Sequence, residues 1–185
     1  MRESKFTRPR LDLTYKLLID LMTIGTHPLI VKRIEWPDEV ATQAFAQQLA
    51  QRPEIGHALI ELRGDLGAGK TTFVRHLLTV LGVQGRIKSP TYAVVEPYAL
   101  EAAGLHPPLN IWHFDFYRFN DPREWEEAGF RDIFSSTGLK LVEWPEKAGK
   151  YLPSADLVIA IEVHEDASRS VILTENTPVG RALLA

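Results

Sequence analysis

The chain has 185 residues, 45% of them apolar and 24% charged, and a formal charge of −3. That length suits one domain with a full core, and the near-neutral balance gives no global reason to expect direct nucleic-acid binding. Without cysteine, disulfides, thiolate nucleophiles and thiolate zinc sites are excluded, and the chain suits a reducing cytoplasm.

Residues 1–28 read as a basic N-terminal extension, in which Arg2, Lys5, Arg8, Arg10 and Lys16 outnumber Glu3 and Asp12 up to Lys16. It lacks the pattern of a secretory signal. Leu11–Ile24, the most apolar stretch, is broken by Asp12, Lys16 and Asp20, so no membrane association is expected.

Leu29–Trp36 alternates as a short strand, and Pro37-Asp38-Glu39 opens an amphipathic helix reaching Gln51. Proline and acids suit a first helical turn, where free N–H groups and the positive end of the dipole lie. His57–Arg63 reads as a strand, and the helix beginning at Lys70 is expected to close near Gly82 in a left-handed cap. Between these two elements stands Gly64-Asp65-Leu66-Gly67-Ala68-Gly69-Lys70-Thr71, a match to the phosphate-binding pattern G-x-x-x-x-G-K-[ST]. In that pattern the glycines let backbone N–H groups wrap an oligophosphate, the lysine brings a point charge, and the threonine offers its hydroxyl to Mg²⁺.

Gly82–Lys88 reads as a loop. Tyr92–Val95 reads as a strand after Ser89-Pro90-Thr91, ended at Pro97 or shortly beyond, and Leu100–Pro108 as a hairpin loop. Leu109–Tyr117 alternates, with Ile111, His113, Asp115 and Tyr117 on one side and Trp112, Phe114 and Phe116 on the other. Asp121-Pro122 starts a short helix ended by Gly129, with a further turn over Phe130–Phe134. Leu139–Trp144 is a buried strand carrying an acid near its end, and Ala155–Val163 and Ser170–Thr174 complete the sheet. These elements predict an α/β chain: a three-layer, P-loop NTPase-like fold over residues 29–185, its central sheet mostly parallel with antiparallel additions.

A cation beside Thr71 needs a carboxylate at the carboxyl end of a neighbouring strand. Glu143 and Asp115 both qualify. Asp115 has the alternative of a structural pair with Arg118 or Arg131, and Glu143 that of a surface acid at a strand end. Thr91 stands where nucleotide hydrolases place a loop that senses the terminal phosphate, its alternative being a local turn bond. His113 shares a face with Asp115 but has the ordinary reading of a hydrogen-bonded strand histidine. Trp144 adjoins Glu143, which makes it the tryptophan to watch.

Four segments in order, Gly64–Thr72, Lys88-Ser89-Pro90-Thr91-Tyr92, His113-Phe114-Asp115-Phe116-Tyr117-Arg118 and Val142-Glu143-Trp144-Pro145-Glu146, resemble the TsaE (YjeE) family. That family is the bacterial ATPase subunit of the machinery that makes threonylcarbamoyladenosine in tRNA, and the resemblance runs from about Ile34 to Arg169. It implies an Mg²⁺-dependent ATPase, binding ATP and ADP, that works with TsaB-like and TsaD-like proteins and meets tRNA through that complex. TsaD would transfer the threonylcarbamoyl group, and hydrolysis here would reset the complex. The resemblance further implies that Gly67, Ala68, Gly69, Lys70, Thr71 and Thr72 hold the phosphates and that Thr71 and Glu143 take Mg²⁺. Lys70 and Asp115 would act in hydrolysis and Thr91 in a switch-like segment, while Trp36 would lie near the adenine and Arg169 near the nucleotide. A small-molecule kinase is the alternative enzyme, although no basic lid segment is present. A nucleotide-gated interaction module without hydrolysis is the alternative outside enzymology. A GTPase would carry Asn-Lys-x-Asp, which is absent.

Overall fold

The computed structural model describes residues 30–102 and 107–185. The expected extension over residues 1–28 lies outside the described residues, as do residues 103–106 of the expected hairpin loop.

In chain order the strands are β1 (Ile30–Trp36), β2 (Leu59–Arg63), β3 (Val95–Leu100), β4 (Leu109–Asp115), β5 (Leu139–Glu143), β6 (Leu157–Val163) and β7 (Arg169–Glu175). The helices are α1 (Glu39–Ala50), α2 (Lys70–Leu81), α3 (Glu124–Glu127), α4 (Arg131–Ser135) and α5 (Pro178–Leu183). One sheet runs β1-β7-β6-β2-β5-β4-β3. Its centre, β6-β2-β5-β4, is parallel, and β1, β7 and β3 are antiparallel additions. The expected α/β fold with a mostly parallel central sheet is therefore observed.

Alternation along the strands builds a core on each face. Ile60, Leu62, Ile111, Leu139, Leu141 and Ile159 pack with Phe45 and Leu49 of α1 and with Phe73, Val74 and Leu77 of α2. Leu59, Phe114, Phe116 and Val142 pack on the other face with Trp125, Phe130 and the residues around Ala148. Each such buried side chain contributes about 1.5–3 kcal/mol. Asp38 caps α1 by accepting the Ala41 N–H at 2.9 Å, and Gly82 closes α2 with φ 107°.

Several expected bounds change, among them the start of α3, which is Glu124 with Arg123 before it and not Asp121-Pro122. The segment Tyr92–Val94 is a turn, and the strand after it starts at Val95 and continues through Pro97 to Leu100. Proline is tolerated because β3 is the edge of the sheet, where a missing N–H leaves no ladder partner unsatisfied. His57 belongs to a 3₁₀ turn, Pro53–His57, so β2 begins at Leu59.

Candidate functional site

Three parallel strands deliver the site at their carboxyl ends. β2 runs into the phosphate loop at Gly64, β4 ends in Asp115 and β5 ends in Glu143. Leu62 lies opposite Glu143, which lies opposite Asp115. The loop and both acids therefore emerge at one edge, where open α/β sheets bind their ligands.

The loop is keyed into the sheet by its backbone. Gly64 has φ 134°, and a Cβ there would fall 2.3 Å from the Ile161 carbonyl oxygen, so only glycine lets the chain leave β2 this close to β6. Arg169 of β7 donates from Nε to the Ala68 carbonyl at 2.9 Å. Gly69 precedes α2 without supplying a side-chain cap, which leaves the helix's first N–H groups free for an anion at its positive end. A cleft of about 600 Å³ opens beside the loop, between Asp65, Leu66 and Gly67 on one side and Ile161, Glu162 and Val163 on the other.

Lys70 is buried. Its ammonium donates to the Gly64 and Asp65 carbonyls at 2.6 and 2.8 Å and lies 3.9 Å from the centre of the Trp144 ring. Burial pushes its pKa below the ordinary 10.5, against the opposing pull of Glu143, Glu146, Asp115 and Asp65. An oligophosphate in the loop would compensate that desolvated charge.

The Thr71 hydroxyl reaches both oxygens of Glu143, at 2.8 and 2.9 Å. His113 holds Oε1 of the same carboxylate through Nε2 at 2.8 Å. Asp115 Oδ2 accepts from Thr91 Oγ1 at 2.5 Å and from Ser89 Oγ, while Oδ1 accepts the Tyr117 N–H at 2.9 Å. Neither of the arginines considered as partners of Asp115 pairs with it: Arg118 stacks on Tyr92 at 4.0 Å and Arg131 meets Glu126. Glu143 is buried too, which sets aside the surface-acid alternative.

Two buried acids stand in register here, Asp115 opposite Glu143, an arrangement that a cation would stabilise. The oxygens of Thr71, Glu143 and Asp115 are hard donors of the kind Mg²⁺ takes. Among the described residues no group of three or more His, Asp and Glu forms a complete metal cage.

The expected residues thus fall into two groups. Gly67–Thr71, Thr91, Asp115, Glu143 and Arg169 converge on the loop, and Thr72 occupies the first turn of α2. Trp36 does not present a face for a base: it is 2% exposed, packed between Phe45 and Phe73 at ring distances of 5.6 and 6.0 Å. Ser89 joins the site beyond the expected residues: its hydroxyl shares Asp115 with Thr91, and the sequence signal for it is a short polar residue two positions before Thr91.

Residues 36–171 match the family described as threonylcarbamoyl adenosine biosynthesis protein TsaE. The chain belongs to the TsaE family. It is 40% identical over 153 residues to the tRNA threonylcarbamoyladenosine biosynthesis protein TsaE of Haemophilus influenzae, covering 80% of this chain and 92% of that one. It is 34% identical over 148 residues to the Bacillus subtilis protein of the same name, covering 78% and 87%. The crystal structure of Bacillus subtilis YdiB superposes with a TM-score of 0.67 at 25% identity, covering 86% of this chain and 95% of that one. Membership of the TsaE family agrees with a P-loop nucleotide-binding protein. Among the described residues no helix is long and apolar enough to cross a membrane.

Proposed function

We propose that residues 29–185 form one Mg²⁺-dependent ATPase domain that serves threonylcarbamoyladenosine modification of tRNA in the cytoplasm. ATP and ADP are the nucleotides, and TsaD-like and TsaB-like proteins the partners, with tRNA met through their complex. The observation that carries this reading is the buried pairing of Asp115 with Glu143 beside the Thr71 hydroxyl, immediately after a phosphate loop. Relatives named for tRNA threonylcarbamoyladenosine biosynthesis support the biological setting.

Gly67, Ala68, Gly69 and the first N–H groups of α2 would cradle the phosphates, and Lys70 would leave the Gly64 and Asp65 carbonyls to meet them. Thr71 and Glu143 would hold Mg²⁺, whose charge, when bound, offsets that of the β and γ phosphates. Asp115 would orient the attacking water, and Arg169 would keep the loop in place through Ala68. All of this acts by positioning and electrostatics, the main sources of phosphoryl-transfer catalysis.

Asp115 already holds Ser89, Thr91 and the Tyr117 N–H, so a water competes with two hydroxyls for Oδ2. Turnover by the isolated chain is therefore slow, and a movement of the Ser89–Thr91 segment frees the acid. We assign that movement to complex formation, with hydrolysis resetting the complex afterwards.

The test measures phosphate release from Mg²⁺-ATP by the full chain, alone and with TsaB-like and TsaD-like partners. Slow release that rises at least about tenfold with partners is expected, a change of about 1.4 kcal/mol in barrier. Tight ATP binding with no release in either condition would instead favour a nucleotide-gated interaction module. Fast release that partners leave unchanged would overturn the partner-dependent reading.

A further inference from the structure

We infer that His113 is a positioning residue for the Glu143 carboxylate, fixing which oxygen that acid offers to a cation. The inference rests on the reading of Glu143 as a metal ligand.

His113 is 0% exposed and stands on β4 two residues before Asp115, on the same face. Its Nε2 lies 2.8 Å from Glu143 Oε1. A carboxylate oxygen is an acceptor, so the contact suits the tautomer in which Nε2 donates to Oε1. The other ring nitrogen, Nδ1, is buried with no hydrogen-bond partner. The bond to Glu143 is thus the one polar contact this imidazole makes among the described residues.

A histidine with one satisfied nitrogen is an expensive choice for a strand interior. An unpartnered buried polar atom costs about 1–3 kcal/mol, and an apolar side chain would avoid that cost between Ile111 and Asp115. What the imidazole adds, and an apolar residue lacks, is a directed N–H on one oxygen of Glu143. Thr71 does not choose between the oxygens, since its hydroxyl lies 2.8 Å from one and 2.9 Å from the other. His113 removes that ambiguity by engaging Oε1, leaving Oε2 as the oxygen without a histidine bond. Groups that orient a metal-binding carboxylate from behind typically change metal affinity about 10–100-fold when removed.

Mn²⁺ in place of Mg²⁺ gives an electron-paramagnetic signal for binding that is independent of turnover. On the full chain with saturating ADP, His113→Leu is expected to weaken Mn²⁺ about 10–100-fold, while ADP affinity in EDTA stays within about threefold. His113→Gln, whose side-chain amide replaces the Nε2–H, is expected to keep Mn²⁺ affinity within about threefold of the parent. Parental Mn²⁺ affinity in His113→Leu overturns the inference. So does an equal loss of ADP affinity with and without metal, which marks a packing role, and so does a His113→Gln protein as weak as His113→Leu. Glu143→Gln separates the two levels. If it weakens Mn²⁺ while His113→Leu does not, only the positioning role fails; if it leaves Mn²⁺ unchanged, Glu143 is no ligand and the inference falls with it.

Discussion

Asp115 and Glu143 face one another directly across the β4–β5 ladder, 3% and 2% exposed. Each is stabilised from a different side, Glu143 by Thr71 and His113 and Asp115 by Ser89 and Thr91. Their separate partners make them separable by mutation.

Asp115→Asn keeps one oxygen for Ser89 and Thr91 but turns an amide NH2 towards the Tyr117 N–H, which loses its acceptor. It is expected to destabilise the nucleotide-free protein by about 1–3 kcal/mol, read as a lower Tm. ATP turnover measured with partners is expected to fall at least about 100-fold. Unchanged turnover would remove Asp115 from the hydrolytic machinery, and an unchanged Tm would show that the Tyr117 bond adds nothing to stability.

Gly64→Ala and Gly67→Ala are expected to differ although both sit at positive φ. A Cβ at Gly64 meets the Ile161 carbonyl at 2.3 Å, whereas one at Gly67 meets nothing within 4 Å. Urea denaturation is expected to show a loss on the order of 3 kcal/mol for the first and about 1 kcal/mol for the second. Equal losses would show that conformational strain alone governs both positions.

Trp36→Phe tests whether the ring acts in the core or on a base. Its packing on Phe45 and Phe73 predicts a stability loss of about 1–2 kcal/mol with ADP affinity held within about threefold. A tenfold or greater loss of ADP affinity in calorimetry would return Trp36 to the nucleotide.

Asp121 provides a pH signature away from the site. Hydrogen bonds from the Arg123 side chain and backbone lower its pKa from 3.8 to about 2. Because the folded value lies below the unfolded one, the contact's contribution is complete above the unfolded pKa and is lost as pH falls through about 2. Carboxyl NMR is expected to give a midpoint near 2, and Arg123→Ala to move it towards 3.8. A midpoint that ignores Arg123→Ala would show another cause.

The residues whose placement depends on local spacing were legible in the sequence. Gly64–Thr71 carried its own strand, loop and helix, and the alternation His113, Phe114, Asp115 put the acid and the histidine on one face. Glu143 was legible because a short apolar run ending in an acid has few other places in an α/β sheet. Trp36 was not, since its burial is decided by how α1 and α2 close over β1, a contact between distant segments. The strand from Val95 was displaced because the tolerance for Pro97 depends on β3 being an edge, which no local pattern records. Helix α5 lies beyond the expected elements although it carries a local signature: Thr177 caps it through the Gly180 N–H, and Pro178 stands at its first position.

The β3–β4 hairpin has its closed end far from the chemistry. Val95 pairs with Phe114 next to Asp115, whereas Leu100 pairs with Leu109 at the opposite end of the two strands, roughly 20 Å from Asp115 along β4. Lengthening such a connection costs little, about 0.6 kcal/mol for each doubling of the loop. A fluorophore or affinity handle joined beyond Leu100 is therefore expected to leave the phosphate end of the sheet untouched while reporting the proposed assembly.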